Sequence, residues 1–250
     1  MEADCVLSPE PGSTEAIKFS PKGYLQLNVN IATRGPISGY PNQSPSAIRI
    51  AADIIRDLDE LESIPVEVPP SIKVLLEDAE YREWYDGIYG EGSAAVIPAI
   101  SVNVGTIAGG NSPSVISPDC LFEATVVTPT GMDPEVIFKK AKTIVGRYPE
   151  AHIELEGADT GDISTTDREM PVILQNIVTK LGWPKPKLAP DIAISDLQYW
   201  RYRGIPGFWY GPDGDNVSAV NEYVEIEQVL HLVRTYVLAS AQYLQKNSPS

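Results

Sequence analysis

Few side chains in this sequence could act as bases, nucleophiles or metal ligands. There are two histidines, His152 and His231, and two cysteines, Cys5 and Cys120. His152 falls in a short alternating run and His231 in the middle of a long amphipathic stretch, so both are expected to be structural. The cysteines have neither metal-ligand nor redox spacing and are expected as reduced thiols in a cytoplasmic protein. Asp159, Asp162 and Asp167 fit no calcium-loop pattern, and a solvated loop is the expectation. Asp196, in "ISDLQYW", suits a helix N-cap. The Gly211-Pro212 turn could offer backbone N–H to a ligand anion, although most such turns are only turns. Tyr199, Trp200, Tyr202, Phe208, Trp209 and Tyr210 crowd one segment; core packing is expected, with an apolar pocket or partner surface as the alternative.

The chain around these groups has 250 residues, which allows one or two domains, and its hydrophobic share of 43% supports a packed core. A formal net charge of −15 argues against nucleic acid and anionic membranes as partners, since both select basic surfaces. No apolar run approaches the roughly 20 residues of a membrane-spanning helix. The N-terminus has no basic region followed by a long apolar stretch, so no signal peptide is expected.

Periodicity supplies the elements. Tyr24–Ile31 alternates strictly, with Leu25, Leu27, Val29 and Ile31 on one face of a half-buried strand. Ser44 and Pro45 then read as the cap and first position of a helix lined by Ile48, Ala51, Ile55 and Leu58. Residues 64–97 stay unassigned. Ala99–Ile107 and Cys120–Val127 read as antiparallel neighbours, Asp133-Pro134 opens a helix with Ile137, Ala141 and Ile144 inward, and Ala151–Glu156 is a fourth strand. This βαββαβ order predicts a ferredoxin-like sheet with both helices on one face. Beyond it, a helix is expected from Asp167 to Leu181, a strand within Gly204–Pro212, and a closing helix with Ile226, Val233, Val237 and Leu244 on one stripe. "ADCVLS" is a second candidate strand. Together with "GFWYG" it is expected to form two edges of a larger α/β sheet.

Several segments carry a resemblance in order and spacing: "ADCVLSPEP", "KGYLQLNVNIATRG", "SAIRIAADIIRDL", "SVNVGTIAGG", "PTGMDPEVIFKKA", "SDLQYWRYRGIPGFWYGP" and "NEYVEIEQVL". The chain resembles the dinuclear-zinc family of aminoacylase, acetylornithine deacetylase, succinyl-diaminopimelate desuccinylase and glutamate carboxypeptidase. The resemblance implies an α/β fold with an α+β lid: a ferredoxin-like dimerisation lid inserted in an incomplete metallopeptidase-type catalytic domain. Its expected bounds are 1–20 and 157–250 for the catalytic-type parts and 21–156 for the lid.

In such enzymes two zinc ions about 3.5–4 Å apart activate water and polarise the amide carbonyl, and a carboxylate relays the proton. The resemblance implies that the segment carrying most of these ligands, and the base, is not in this chain. Glu10 matches the carboxylate ligand and is the one candidate metal ligand. Ser218 stands where the last histidine ligand is expected, four residues before Glu222. Gly39, Ser114 and Val127 fall near the places of the lid's histidine, asparagine and arginine, with Arg34 and Arg147 not adjacent alternatives. Asp196 matches an acid beside the site, and it and Gly211 are the candidate substrate-binding residues.

No catalytic residue and no cofactor are therefore expected for the isolated chain, with zinc entering only if a front half is supplied. Three functions stay open: a non-catalytic homologue that dimerises through the lid or binds a partner, a subunit or fragment of a zinc hydrolase of N-acyl amino acids or peptides, and a metal-independent enzyme with redirected chemistry.

Overall fold

A computed structural model describes residues 3–165, 169–214 and 216–246. In chain order the elements are β1 (Val6–Ser8), β2 (Ala16–Ser20), β3 (Gly23–Ala32), α1 (Ala47–Leu58), α2 (Pro70–Glu77), α3 (Ala79–Tyr89), α4 (Ser93–Val96), β4 (Ser101–Gly109), β5 (Asp119–Thr128), α5 (Pro134–Val145), β6 (Ala151–Asp159), α6 (Glu169–Lys180), β7 (Lys187–Pro190), α7 (Gln198–Arg201), β8 (Gly207–Trp209) and α8 (Ile226–Lys246). They form two units. One holds the described residues of 1–21, 71–94 and 162–250, and the other holds residues 22–70 and 95–161.

The second unit is the ferredoxin-like sheet, with strand order β4-β5-β3-β6 and every pair antiparallel. The alternation of β3 explains its place at the centre. Leu25, Leu27, Val29 and Ile31 are buried, while Gln26 and Asn30 face outward. The buried set packs with α1 and α5 in one core together with Phe122, Val126, Ile137, Ala141 and Ile144. Each such aliphatic side chain contributes about 1.5–3 kcal/mol on burial, so the two helices hold to the one apolar face. The start of α5 is as expected: the Asp133 side chain accepts the Glu135 N–H at 2.9 Å, with Pro134 in the first turn.

The start of α1 differs from expectation. Its N-cap position is Ser46, which makes no side-chain capping bond. Ser44 lies upstream, and its hydroxyl accepts the Arg34 N–H and donates to the Pro45 carbonyl. The buried stripe of α1 is Ala47, Ile50, Ala51, Ile54 and Leu58. Ile48, expected inside, is 43% exposed, because the helix starts two residues later and its core face is turned by about one position.

Lys22 opens this unit from an almost fully buried position and donates to the carbonyls of Val96 at 2.7 Å and Ala99 at 2.6 Å. Burial pulls its pKa from 10.5 to about 8. Between those two values the unfolded chain holds more protons than the folded one, so this group makes stability rise with pH through that window. Urea unfolding at pH 7.5 and 9.5 is expected to show a gain in wild type that shrinks in Lys22→Met. An equal gain in both would place its origin elsewhere.

The first unit carries the sheet β1-β8-β2-β7. β1 runs parallel to β8, with Val6 opposite Gly207 and Ser8 opposite Trp209. β2 runs parallel to β7 and meets β8 antiparallel at Lys18–Trp209. "ADCVLS" and "GFWYG" are thus direct neighbours, and of the two only β1 lies at an edge of this sheet. β2 and β7, which periodicity did not reveal, complete the sheet. Residues 64–97, left unassigned by periodicity, contain α2, α3 and α4. Asp78 caps α3 by accepting from Glu80 and Tyr81, and the hydroxyls of Tyr81 and Tyr85 donate to the carbonyls of Leu188 and Pro190.

α8 carries the expected stripe, but the stripe faces outward. Ile226, Val233, Val237 and Leu244 are 77%, 57%, 64% and 64% exposed. The buried side of the helix holds His231, Leu232, Thr235 and Ala239. The Tyr236 hydroxyl donates to the carbonyls of Ser8 and Tyr210, which ties the helix to the β1–β8 pair.

Candidate functional site

The parallel strands β1 and β8 end side by side, and the loops that leave them hold the residues singled out above. Ligands of open α/β sheets bind outside the carboxyl ends of such strands. Glu10 follows β1 by two residues. Its Oε1 accepts the hydroxyl of Ser8 at 2.7 Å and that of Ser195 at 3.1 Å. Gly211 follows β8 by two residues and packs directly on the Glu10 backbone. A methyl group at Gly211 would overlap the Glu10 carbonyl, with the carbonyl carbon at 2.7 Å and the Pro9 oxygen at 3.0 Å. The Gly12 N–H donates to the Pro212 carbonyl at 2.8 Å and closes the two loops on each other. Asp196 stands next to Ser195 and is exposed. The N-cap position of α7 is Leu197, and it is the Ser195 hydroxyl that accepts the Leu197 N–H.

Glu10, Gly211 and the Ser195–Asp196 pair therefore meet at one place. The two serines that hold Glu10 were not found from sequence. Ser8 is two residues before Glu10 and so was open to an inspection of local side-chain bonds; Ser195 is 185 residues away, and no pattern relates it to Glu10.

Next to this cluster, Gly12, Ser13, Glu15, Tyr89, Asp213 and Gly214 border a cavity of about 360 Å³. Asp213 accepts the Thr14 N–H at 2.9 Å and exchanges hydrogen bonds with Gln228. Ser218 lies further along the same loop, exposed, with φ of 61°, and its N–H donates to Glu222 at 3.3 Å. Asn216 and Asn221 also have positive φ, which asparagine tolerates better than most residues.

Neither histidine belongs to the cluster. His231 is buried, stacks on Trp183 at 4.1 Å between ring centres, and shares a hydrogen bond with the Tyr210 hydroxyl at 2.9 Å. Burial, assisted by Arg234, lowers its pKa. His152 is exposed on β6 beside Glu154. A zinc pair needs several ionised carboxylate or neutral imidazole donors. This cluster offers two carboxylates, Glu10, whose Oε1 already accepts two hydroxyls, and the exposed Asp196, and no group of three or more His, Cys, Asp or Glu forms among the described residues. Those residues do not fit a dinuclear centre.

The lid positions lie in the other unit. Gly39 is in an exposed loop, and the Ser38 N–H donates to the Ser114 carbonyl at 2.9 Å, so the segments of Gly39 and Ser114 adjoin. Val127 sits in β5 opposite Tyr24 and Ser101. Arg147 is engaged by Glu60 and Asp57 on the surface. Of the acids that could have read as a calcium loop, Asp159 and Asp162 accept N–H groups from their own loops, at Gly161 and Ile163. Asp167 lies outside the described residues. The aromatic cluster divides: Phe208, Trp209 and Tyr210 are core, and Tyr199 and Tyr202 are exposed.

The chain thus holds a ferredoxin-like unit and a second unit whose sheet contains parallel strand pairs. The family profile for the peptidase dimerisation domain, M20 type, matches residues 20–152. The chain belongs to that family. Among solved structures it is similar to a dipeptidase from Saccharomyces cerevisiae (12% identity, TM-score 0.72, 98% of this chain and 58% of that one). It is also similar to a metallo-carboxypeptidase of the M20 family from Sulfolobus solfataricus (15%, 0.69, 96% and 63%). A third is the aminopeptidase PepT from Bacillus cereus (16%, 0.66, 96% and 57%). The chain thus spans just over half the length of the solved structures it matches. No curated protein sequence matches it. No helix among the described residues is long and apolar enough to cross a membrane.

Proposed function

We propose that this chain is a member of the M20 peptidase family that hydrolyses no amide bond by itself and acts by association, in the cytoplasm, through its dimerisation domain. The observation that carries this reading is the donor set after β1. Glu10 is held by Ser8 and Ser195, and Ser218 occupies the place that the resemblance gives to a histidine. A serine hydroxyl does not ionise near neutral pH and is a poor zinc ligand. In this reading the lid forms a homodimer through the outward side of α1, which carries Arg49 and Arg56. The test has two parts. Hydrolysis of N-acyl amino acids and tripeptides with added zinc is expected to equal buffer, and light scattering at micromolar concentration is expected to give a dimer or larger species that Arg49→Glu/Arg56→Glu weakens. Turnover above buffer would overturn it.

The outward stripe of α8 favours a second reading. Ile226, Val233, Val237 and Leu244 continue an apolar groove of about 370 Å³ bordered by Pro9, Pro212, Val229, Leu232, Val233 and Tyr236. Exposed apolar faces of this size mark surfaces that another polypeptide covers. Among the described residues β1 is also an edge strand, paired only with β8. In this reading a further polypeptide supplies the rest of the α/β layer and the missing ligands. Glu10 would then be this chain's contribution to a zinc site, with Asp196 and Gly211 lining the substrate. Val233→Asp/Val237→Asp is expected to abolish capture of that polypeptide and to leave lid dimerisation intact. Unchanged capture would remove this reading.

A further inference from the structure

Arg201 is a buried cation with one edge unused. It ends α7, is 5% exposed, and packs at the start of β8, whereas Glu10 and Gly211 lie past the ends of β1 and β8. Its Nε donates to Ser164 Oγ at 2.8 Å and its Nη2 to the Gly207 carbonyl at 2.6 Å. Nη1 is buried and has no hydrogen-bond partner among the described residues. None of the ion pairs among the described residues includes this guanidinium. Burial outweighs the longer-range pull of Asp162 and Glu10 and draws its pKa down to about 10. A buried charge without a counter-charge is costly to the fold. Lysine or methionine could fill the same space, but only arginine offers a third, free nitrogen after two bonds are made.

The guanidinium forms part of the wall of a cavity of about 180 Å³ between Ile163–Thr165 and Gly204–Pro206. That is below the roughly 300–1,000 Å³ of pockets that take drug-sized ligands, so only a small molecule fits. The Ser164 hydroxyl is already committed: it donates to the Gly207 carbonyl and accepts from Arg201 Nε and the Gly207 N–H. Of the guanidinium nitrogens, Nη1 is thus the one left without a partner among the described residues. Ile163, Ile205 and Pro206 give the cavity apolar sides. A phosphate or sulfate needs several converging donors to replace its water. A single charged donor beside apolar walls matches one negative charge on a short hydrocarbon.

We propose that this cavity is a binding site for a short-chain monocarboxylate, with the carboxylate on Arg201 Nη1 and the alkyl tail against Ile163, Ile205 and Pro206. The site is independent of the metal question, because none of its residues is a candidate ligand. Calorimetric titration of the full chain with butyrate is expected to give one site. The neutral isostere butyramide should bind at least about tenfold more weakly, and inorganic phosphate should give no heat beyond dilution. Arg201→Met is expected to lose butyrate binding. That variant removes two structural hydrogen bonds and could fail to fold, so Thr165→Glu is the second. A carboxylate at this exposed position on the cavity rim is expected to raise the melting temperature without ligand and to abolish the butyrate response. Equal binding of butyrate and butyramide would overturn the proposal, as would phosphate binding as tightly as butyrate. Butyrate binding retained in a folded Arg201→Met or in Thr165→Glu would do the same.

Discussion

Asp191→Ala is expected to destabilise the first unit by about 3–5 kcal/mol, the range for breaking a buried ion pair from one side. Lys18 lies in β2, a strand with no exposed residue, and its Nζ meets Asp191 Oδ1 at 2.9 Å, with both side chains 5% exposed. The only other groups shown to face the ammonium are the rings of Tyr89 and Trp209, centred 4.9 Å and 5.4 Å away. Ring faces cannot replace a carboxylate; a cation–π contact is worth about 0.5–2 kcal/mol. Asp191 also accepts the Ile192 N–H at 2.7 Å, so Asp191→Asn, which can keep that bond and loses the charge, should fall between wild type and alanine. Lys18→Met/Asp191→Leu removes both charges together and should recover most of the loss, because no unpaired ion remains. Urea unfolding followed by tryptophan fluorescence measures all three. A loss below about 1 kcal/mol in Asp191→Ala would mean that the pair is already solvated.

This pair also shows where the sequence was hard to read. A lysine inside "AIKFS" looks like a surface residue, and a five-residue strand buried on both sides has no alternation to detect. The partner acid lies 173 residues away. β3 is the opposite case. One face of it is core and the other is exposed, so its period of two was visible, and with β4, β5, β6 and α5 it made the ferredoxin-like unit legible. α8 was legible as a helix with an apolar stripe, but the side that this chain buries was not. Apolar residues at helical spacing announce a face that needs covering, and only the structure shows that this chain covers the opposite side with His231, Leu232, Thr235 and Ala239. α2 and α3 were missed because Pro, Gly and Tyr obscure the helical pattern, and because Tyr81 and Tyr85 are fixed by carbonyls of the distant β7. Of the candidate site, Glu10, Asp196 and Gly211 were read from the chain, whereas Ser8 and Ser195 depend on a contact between two loops.

Gly211 provides the largest single-residue effect at that site. Gly211→Ala is expected to destabilise the first unit by about 3 kcal/mol or more and to separate Glu10 from Ser195. The added methyl would meet the backbone of Glu10 and Pro9 rather than the end of a flexible side chain, so no rotamer change can relieve it. Overpacking against side chains costs about 1–3 kcal/mol, and a backbone clash belongs at or above the top of that range. The loops after β1 and β8 would have to part, and the Gly12–Pro212 hydrogen bond would lengthen with them. Two controls separate this clash from general glycine effects. Gly39→Ala has nothing within 4 Å and no positive φ, and should stay within about 0.5 kcal/mol of wild type. Gly204→Ala also meets nothing, but its φ is 75°, and it should cost about 1 kcal/mol through backbone strain alone. The order Gly211 above Gly204 above Gly39 in urea unfolding is therefore the expected result. If Gly211→Ala fell level with Gly204→Ala, the two loops would not be in the close contact that brings Glu10, Ser195 and Gly211 together.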